Sequence, residues 1–251
     1  MNVISIFMHQ NKIYLTTLSN ITCHSTLLLI RGFDLFAQLT EEEYEDLHVI
    51  HNFIEAGKGE FIYFPSQHNN KLYFAKEGYI KIGYIDEQGN ECIKEVIQKG
   101  EIFGQITLEK NNSQDEFAKV YRADVSLCAF NIEDFYRLLQ KKPLMALAFS
   151  NQLGKKVRKI ETRLVNLLNK NVQSRLINLL VQLIPEKETS NTVEIERFLT
   201  HEDMANLIGS SRQTITTTLS ELESQGLVSI TKKHIRIPDL DILKKSATSG
   251  S

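Results

Sequence analysis

The hydrophobic periodicity of this chain changes character at Glu133, and the two textures cannot belong to one kind of element. From Asn52 to Ile132, alternating or β-branched runs are cut by turn signals about every eight to twelve residues. The runs are EFIYF (60–64), KLYFAKEGYIKIGYI (71–85), ECIKEVI (91–97) and AKVYRADVSLCAF (118–130). Between them stand AGKG (56–59), SQHNN (66–70), DEQGN (86–90), KGE (99–101) and EKNNSQ (109–114). Many short strands at such spacing predict a β-sandwich or jelly roll, with DEQGN as a hairpin turn. Beyond Glu133, EDFYRLL (133–139) predicts a short helix stopped near Pro143. A long stretch follows that only Gly154 interrupts. Its apolar and small positions are Ala146, Ser150, Leu153, Val157, Ile160, Leu164 and Leu167, in alternating steps of four and three. That is a heptad seam over about three heptads. Lys155, Lys156, Arg158, Lys159, Glu161 and Arg163 occupy the other faces. So narrow a stripe on a charged helix predicts a two-stranded coiled coil between two copies of the chain.

The flanking segments are read from local signals. FDLFAQLTEEEYEDL (33–47) predicts a helix, with Thr40 and Glu43 in capping-box spacing. Asn169–Asn171 interrupts the seam as a hinge. SRLINLLVQLI (174–184) predicts a helix closed by Pro185, and EKETSNTVEIERF (186–198) a polar loop with a short strand. The first thirty residues receive no role. Their apolar run Leu27–Ile30 is too short to span a bilayer, and no basic region precedes a long apolar core.

Charge and cysteine usage narrow the function classes. The 251 residues suit two domains, and 42% hydrophobic with 24% charged residues is ordinary for a soluble globular chain. From Ser150 onward there are 15 Lys and Arg against 11 Asp and Glu; the preceding residues carry 14 against 20. A mildly basic C-terminal part beside an acidic N-terminal part fits a nucleic-acid-binding module on a sensor. Cys23, Cys92 and Cys128 are widely separated and form no CxxC pair. This predicts reduced thiols in a cytoplasmic protein, without a disulfide framework or a cysteine-ligated metal. No Ser-His-Asp order, phosphate-binding glycine loop or HExxH motif suggests an enzyme.

The last sixty residues carry the sharpest constellation. In LTHEDMANLIG (199–209), Thr200 is the N-cap with Asp203 three residues later, and Met204, Leu207 and Ile208 form the apolar face. Gly209 supplies a turn, and Ser210 or Ser211 caps the next helix. In GSSRQTITTTLSELESQGLV (209–228), Ile215, Leu219 and Leu222 face inward, and Gly226 ends the helix. Ser211, Arg212, Gln213, Thr214, Thr216 and Thr217 then front its first turns. This is how a helix-turn-helix recognition helix presents side chains to the major groove. Arg can pair with guanine O6 and N7, Gln with adenine N6 and N7, and Thr with phosphates and thymine methyls. After Gly226, LVSI and HIRI predict two short strands around a Lys232-Lys233 tip that lies near backbone phosphates as a wing.

Taken together these segments resemble the Crp/Fnr superfamily of bacterial transcription regulators. The resemblance covers roughly residues 33–245, including KGEIFG at 99–104 and GSSRQT at 209–214. It implies an α+β chain in four parts: an unassigned extension (1–32), a cyclic-nucleotide-binding-like jelly roll (33–142), a dimerisation helix and hinge (143–170), and a winged helix-turn-helix (171–251). It also implies a homodimer on a palindromic operator of double-stranded DNA, with no membrane partner. RNA polymerase stays an open candidate.

The implied effector site departs from the family pattern. Nucleotide-binding members carry Phe-Gly-Glu and, further on, Arg-Ser-Ala, whose Glu binds the ribose and whose Arg neutralises the phosphate. Here Phe103-Gly104 is kept, but Gln105 replaces the Glu, and Glu116-Phe117-Ala118 stands at the Arg-Ser-Ala position. No Arg lies between Gln105 and Tyr121. A carboxylate facing a phosphate costs on the order of 1–4 kcal/mol near a surface. The expectation is therefore no cofactor and no cyclic AMP in the usual mode. The alternative is an ordinary regulator that binds cyclic AMP or cyclic GMP in its jelly roll. Haem would need an axial ligand, and His48, His51 and His68 have no telling spacing. In the recognition helix many relatives carry Arg-Glu-x-x-x-Arg, where this chain has Arg212, Gln213 and Thr217, so its operator should differ from the family consensus.

Overall fold

A computed structural model describes residues 6–9, 12–15, 33–37, 39–40, 51–64, 69–108, 116–184 and 188–248. In the stretch left without a role, β1 (Ile6–His9) and β2 (Lys12–Leu15) pair antiparallel, with Ile6 opposite Leu15. The helix expected over 33–47 is, in its described part, one 3-10 turn at Asp34–Phe36. Tertiary packing explains the tighter turn: Phe33 and Phe36 set their rings 5.6 and 5.3 Å from Phe74, and Phe36 also lies on Phe130. Glu43 of the expected capping box, Cys23, His48 and His68 fall outside the described residues.

The β-rich part is one six-stranded antiparallel sheet. Its strands are β3 (His51–Ala56), β4 (Phe61–Tyr63), β5 (Lys71–Ile85), β6 (Glu91–Ile97), β7 (Ile102–Gly104) and β8 (Glu116–Asn131). The order is β3-β8-β5-β6, with β4 on β8 and β7 on β5. The DEQGN turn closes as its residues predict. The Asp86 carboxylate accepts the N–H groups of Gln88 and Asn90 at 3.0 and 2.7 Å, and Gly89 takes φ 85°. The short strands β3 and β7 were not singled out from sequence, since three to six residues carry too little alternation.

β5 and β8 are long and bend midway, where their register shifts between Ala75 and Tyr79. Gly78 at φ 82° and Arg122 at φ 69° provide the bend. A Cβ on Gly78 would lie 2.6 Å from the Val125 methyl, so glycine is required there. Strand alternation fills both sides of the bent sheet. Tyr73, Ala75, Ile80, Ile82 and Ala129 point into the roll with Phe103 and Leu127, whereas Leu72, Phe74, Cys128 and Phe130 point outward beneath helices.

Those helices are α1 (Ile132–Lys141) and α2 (Pro143–Asn169). Asn131 caps α1 by accepting the Glu133 N–H, and Phe135 packs between Phe130 and Phe149. Pro143 stops α1 and opens α2, where its missing N–H costs nothing. At the expected hinge the helix does break: Lys170 ends α2, and Asn171 caps α3 (Val172–Gln182) by accepting the Ser174 N–H at 2.9 Å.

The C-terminal unit comprises β9 (Val193–Glu196), α4 (His201–Ile208), α5 (Arg212–Ser224), β10 (Ser229–Ile230), β11 (His234–Ile237) and α6 (Leu240–Thr248). The wing is a three-stranded sheet in the order β10-β11-β9. Helix α6 was not anticipated; only Leu243 and Ala247 anchor it among its buried residues.

Gly104 tests the pairing of β7 with β5. It stands at φ 88° opposite Leu72, and a Cβ there would lie 2.5 Å from the Lys71 carbonyl and 2.7 Å from the Tyr73 ring. Gly104→Ala is expected to lower stability by about 1–3 kcal/mol. Urea unfolding followed by tyrosine fluorescence checks this, since the chain has no tryptophan.

Candidate nucleic-acid interface and effector pocket

Local chemistry builds the helix pair α4–α5. Thr200 accepts the Asp203 N–H, and the Asp203 carboxylate accepts the Thr200 N–H at 2.9 Å, which closes a capping box. Gly209 takes the left-handed conformation, φ 64° and ψ 58°, and turns the chain. Ser211, not Ser210, caps α5 by accepting the Thr214 N–H. Ile215, Thr218, Leu219 and Leu222 are buried beneath α5. Ser211, Arg212, Gln213, Thr214, Thr216 and Thr217 are all exposed on its first turns. Lys232 and Lys233 are exposed at the wing tip, in a turn where Thr231 donates its N–H to the His234 carbonyl.

Thr216 differs from its neighbours. Its hydroxyl donates to the Arg212 carbonyl at 3.0 Å and lies 2.8 Å from His201 Nδ1. Arg197 lies 3.2 Å from His201 Nε2, donates to the Thr231 carbonyl, and gives its backbone N–H to Lys233. Arg can only donate, so Nε2 must accept, and the proton of a neutral imidazole sits on Nδ1, aimed at Thr216. Wing, α4 and α5 are thereby linked through one neutral histidine. Burial pushes the His201 pKa below its ordinary 6.5, with Arg197 and Arg212 adding to the shift. Neither Arg197 nor His201 stood out from sequence, because the link joins three segments that only meet in space.

The same unit is seated on the jelly roll. Lys81 of β5 reaches the Asp203 carboxylate at 2.6 Å, and the Tyr121 hydroxyl of β8 donates to it at 2.5 Å. Burial raises the Asp203 pKa, but hydrogen bonds from Lys81, Thr200 and Tyr121 outweigh it and hold the carboxyl below the usual range. Tyr79 stacks on Phe198 at 4.0 Å and donates to Glu196. Ile93 and Val96 of β6 share one apolar cluster with the helix-turn-helix core. From α3, Arg175 donates to the carbonyls of Ile208 and Gly209.

The pocket residues divide into two groups. Phe103, Gly104 and Glu116 line one cavity of about 430 Å³ between the roll, α2 and α3. Phe117 and Ala118 are fully buried in the roll, and Gln105 is buried with its amide donating to the Thr107 carbonyl. Glu116 accepts from the Tyr63 hydroxyl at 2.7 Å and pairs with Lys94. Its carboxylate is thus already neutralised by a cation from β6. On α2, Val157, Ile160, Leu164 and Leu167 are exposed, while Leu153 is half-buried against the Phe135–Phe149 cluster. Lys156 and Lys159 face inward, to Glu95 and Glu101.

A family model of the cyclic nucleotide-binding domain matches residues 53–142, and one of the Crp-like helix-turn-helix domain matches residues 174–246. The chain belongs to the Crp/Fnr family of transcription regulators. It is a sequence-specific DNA-binding regulator of Crp/Fnr type rather than an enzyme. The chain is similar to a global nitrogen regulator of Nostoc sp., 27% identical over 179 residues, which span 70% of this chain and 80% of the relative. It is also similar to a CRP-like cAMP-activated global transcriptional regulator of Mycobacterium tuberculosis, 20% identical over 77% of this chain and 87% of that one. A solved CooA mutant from Carboxydothermus hydrogenoformans shares the fold, with a TM-score of 0.69 at 20% identity over 88% of this chain and 95% of that one. Among the described residues no helix is long and apolar enough to cross a membrane.

The histidine link gives this Crp/Fnr chain a pH signature. The folded pKa of His201 lies below its ordinary value, so the unfolded chain binds the proton more readily. The stability of the link is full above about pH 6.5 and falls as pH drops through that value toward the depressed one. His201→Gln cannot titrate. Its melting temperature is expected to depend less on pH between about pH 7.5 and 5.5 than that of the parent chain, as thermal melts across that range would show.

Proposed function

We propose that this regulator binds a palindromic operator as a homodimer in the cytoplasm, and that cyclic AMP in the usual mode is not its trigger. The observation that carries the reading is the exposed polar front of α5. Arg212, Gln213 and Thr217 stand clear on turns whose inner face is locked by Ile215, Leu219 and Leu222. Arg212 suits guanine, Gln213 suits adenine, and Ser211, Thr214 and the wing lysines suit phosphates. Thr216 acts by positioning the helix, since its hydroxyl is held by Arg212 and His201. Two such helices would enter successive major grooves about 34 Å apart.

Dimerisation is supported by Val157, Ile160, Leu164 and Leu167, four apolar side chains exposed 53, 59, 56 and 40% along one stripe of α2. Four large apolar groups on one helix face are costly in water, and a partner helix would cover them. The exclusion of cyclic AMP is supported by Glu116, which accepts from Tyr63 and consumes the charge of Lys94 where a phosphate would need a free cation.

Selection from random duplex DNA, with and without cyclic AMP, tests the whole reading. A palindromic motif is expected equally in both arms, and a motif found only with cyclic AMP would reject the effector part. On that motif, Arg212→Ala should lose about 1–3 kcal/mol and relax specificity at one base. Joint Lys232→Ala and Lys233→Ala should instead weaken all sequences alike and reduce the salt slope. Joint Val157→Lys and Leu164→Lys is expected to sediment as a single chain with an unchanged circular dichroism spectrum; a persisting dimer would refute the seam.

A further inference from the structure

Arg197 and His201 bridge the two parts of the molecule that face DNA in the reading above. On one side His201 reaches Thr216, among the exposed first turns of α5. On the other side Arg197 donates to the carbonyls of Thr231 and Lys233, which frame the wing tip. Both side chains are only half-buried, so the pair keeps a face in water between the reading helix and the tip lysines. Its surroundings are cationic. Arg197 comes from the turn between β9 and α4, and Arg212 from α5; both disfavour a charged His201. From the wing stand Lys232, Lys233 and His234, and His234 has its own counter-charge in Glu194 at 3.2 Å. On α4 itself Glu202 is exposed, and Asp203 is engaged by Lys81 and Tyr121.

The hydrogen bonds of this pair allow two states. With His201 neutral, Nε2 accepts from Arg197 Nη2 at 3.2 Å, and the proton on Nδ1 points at Thr216 Oγ1, 2.8 Å away. Thr216 anchors the ring in both states, because its hydroxyl proton goes to the Arg212 carbonyl and its oxygen stays free to accept from Nδ1. A second proton can therefore enter only at Nε2. There it turns the acceptor into a donor that faces another donor, and the bond to Arg197 is lost. Two cations then border one gap, and an anionic acceptor between them satisfies both.

We propose that DNA binding by this chain is coupled to proton uptake at His201, with the protonated imidazole and Arg197 sharing one backbone phosphate. The proton comes from solvent and goes to Nε2, and the phosphate replaces the imidazole as the acceptor for Arg197. Nδ1 stays on Thr216, so α5 keeps its anchor while the phosphate arrives. In the free chain burial and the two arginines hold the imidazole neutral. A phosphate beside it has the opposite effect and favours the charged form. By linkage, affinity rises as pH falls through the higher, DNA-bound pKa and levels off below the lower, free one. This coupling rests on the DNA reading and adds to it a residue whose charge sets the strength of binding.

Fluorescence anisotropy of the full chain with two labelled duplexes, one carrying the selected motif and one of random sequence, tests the coupling between about pH 7.5 and 5.5. At fixed salt the parent is expected to bind both duplexes about tenfold more tightly per chain at the lower pH. Its salt slope should steepen by about one per chain, since one more cation meets a phosphate. His201→Gln keeps His234 and both tip lysines, so any pH dependence from elsewhere persists in it; it is expected to lose most of the gain and the added slope. His201→Lys carries a fixed cation and should bind at pH 7.5 about as tightly as the parent does at pH 5.5. A His201 that only braced the helices would change affinity alike at every pH. Circular dichroism at each pH confirms folding, and His201→Lys decides alone if His201→Gln unfolds. The same pH dependence in either variant as in the parent overturns the coupling and leaves the DNA reading intact. Binding of neither duplex at any pH overturns both.

Discussion

Asp203 holds the reading head to the rest of the molecule. Its carboxylate is 3% exposed and serves two masters: it closes the capping box of α4, and it receives Lys81 and Tyr121 from the roll. A charge buried so deeply survives only because a cation and three hydroxyl or amide donors surround it. Removing one partner of such a pair typically costs about 3–5 kcal/mol, whereas replacing both with apolar groups can be neutral. The pair therefore sets register more than strength. The strength comes from Ile93 and Val96, which join the helix-turn-helix core. The angle of α5 then follows, because Gly209 and the Arg175 bonds leave the α4–α5 turn little freedom.

That arrangement makes the jelly roll and the DNA-reading unit mechanically continuous. β5 carries Lys81 and Tyr79, β8 carries Tyr121, and both strands bend at Gly78 and Arg122 close to these contacts. A shift of the bend moves the anchors of α4 directly. The link from Arg197 through His201 to Thr216 carries the wing along with the helix. Two different placements of the recognition helices would have to exchange these discrete contacts, since packed interfaces switch between states instead of stretching.

Much of this was legible in the residues, and the reason is locality. The DEQGN turn, the Thr200–Asp203 box, the Ser211 cap, Gly209 and Gly226 act within four residues of themselves. The heptad stripe of α2 and the inward trio of α5 follow from helical period alone. What escaped was short or shared. β3, β7 and α6 have too few residues to show a period, and β9 joins the wing only by pairing with β11 across some forty residues. The 33–47 pattern favoured a helix, but aromatic packing on Phe74 drew its described start into a 3-10 turn. Glu116 read as a lone repulsive carboxylate because its partner Lys94 lies on another strand. The contact of Thr216 with His201 escaped as well, because the two lie on different helices.

Local chemistry is enough to specify a β-rich module, a dimer-type helix and a polar-fronted reading helix, since caps, turns and periods are written in neighbouring residues. The seat of one module on another is not. Lys81 and Asp203 lie 122 positions apart, and Arg175 meets the α4–α5 turn 33 positions on. Such pairs exist only once the sheet has bent and the helices have packed. Burial then turns ordinary surface residue types, a lysine, an aspartate and an arginine, into the anchors on which orientation depends.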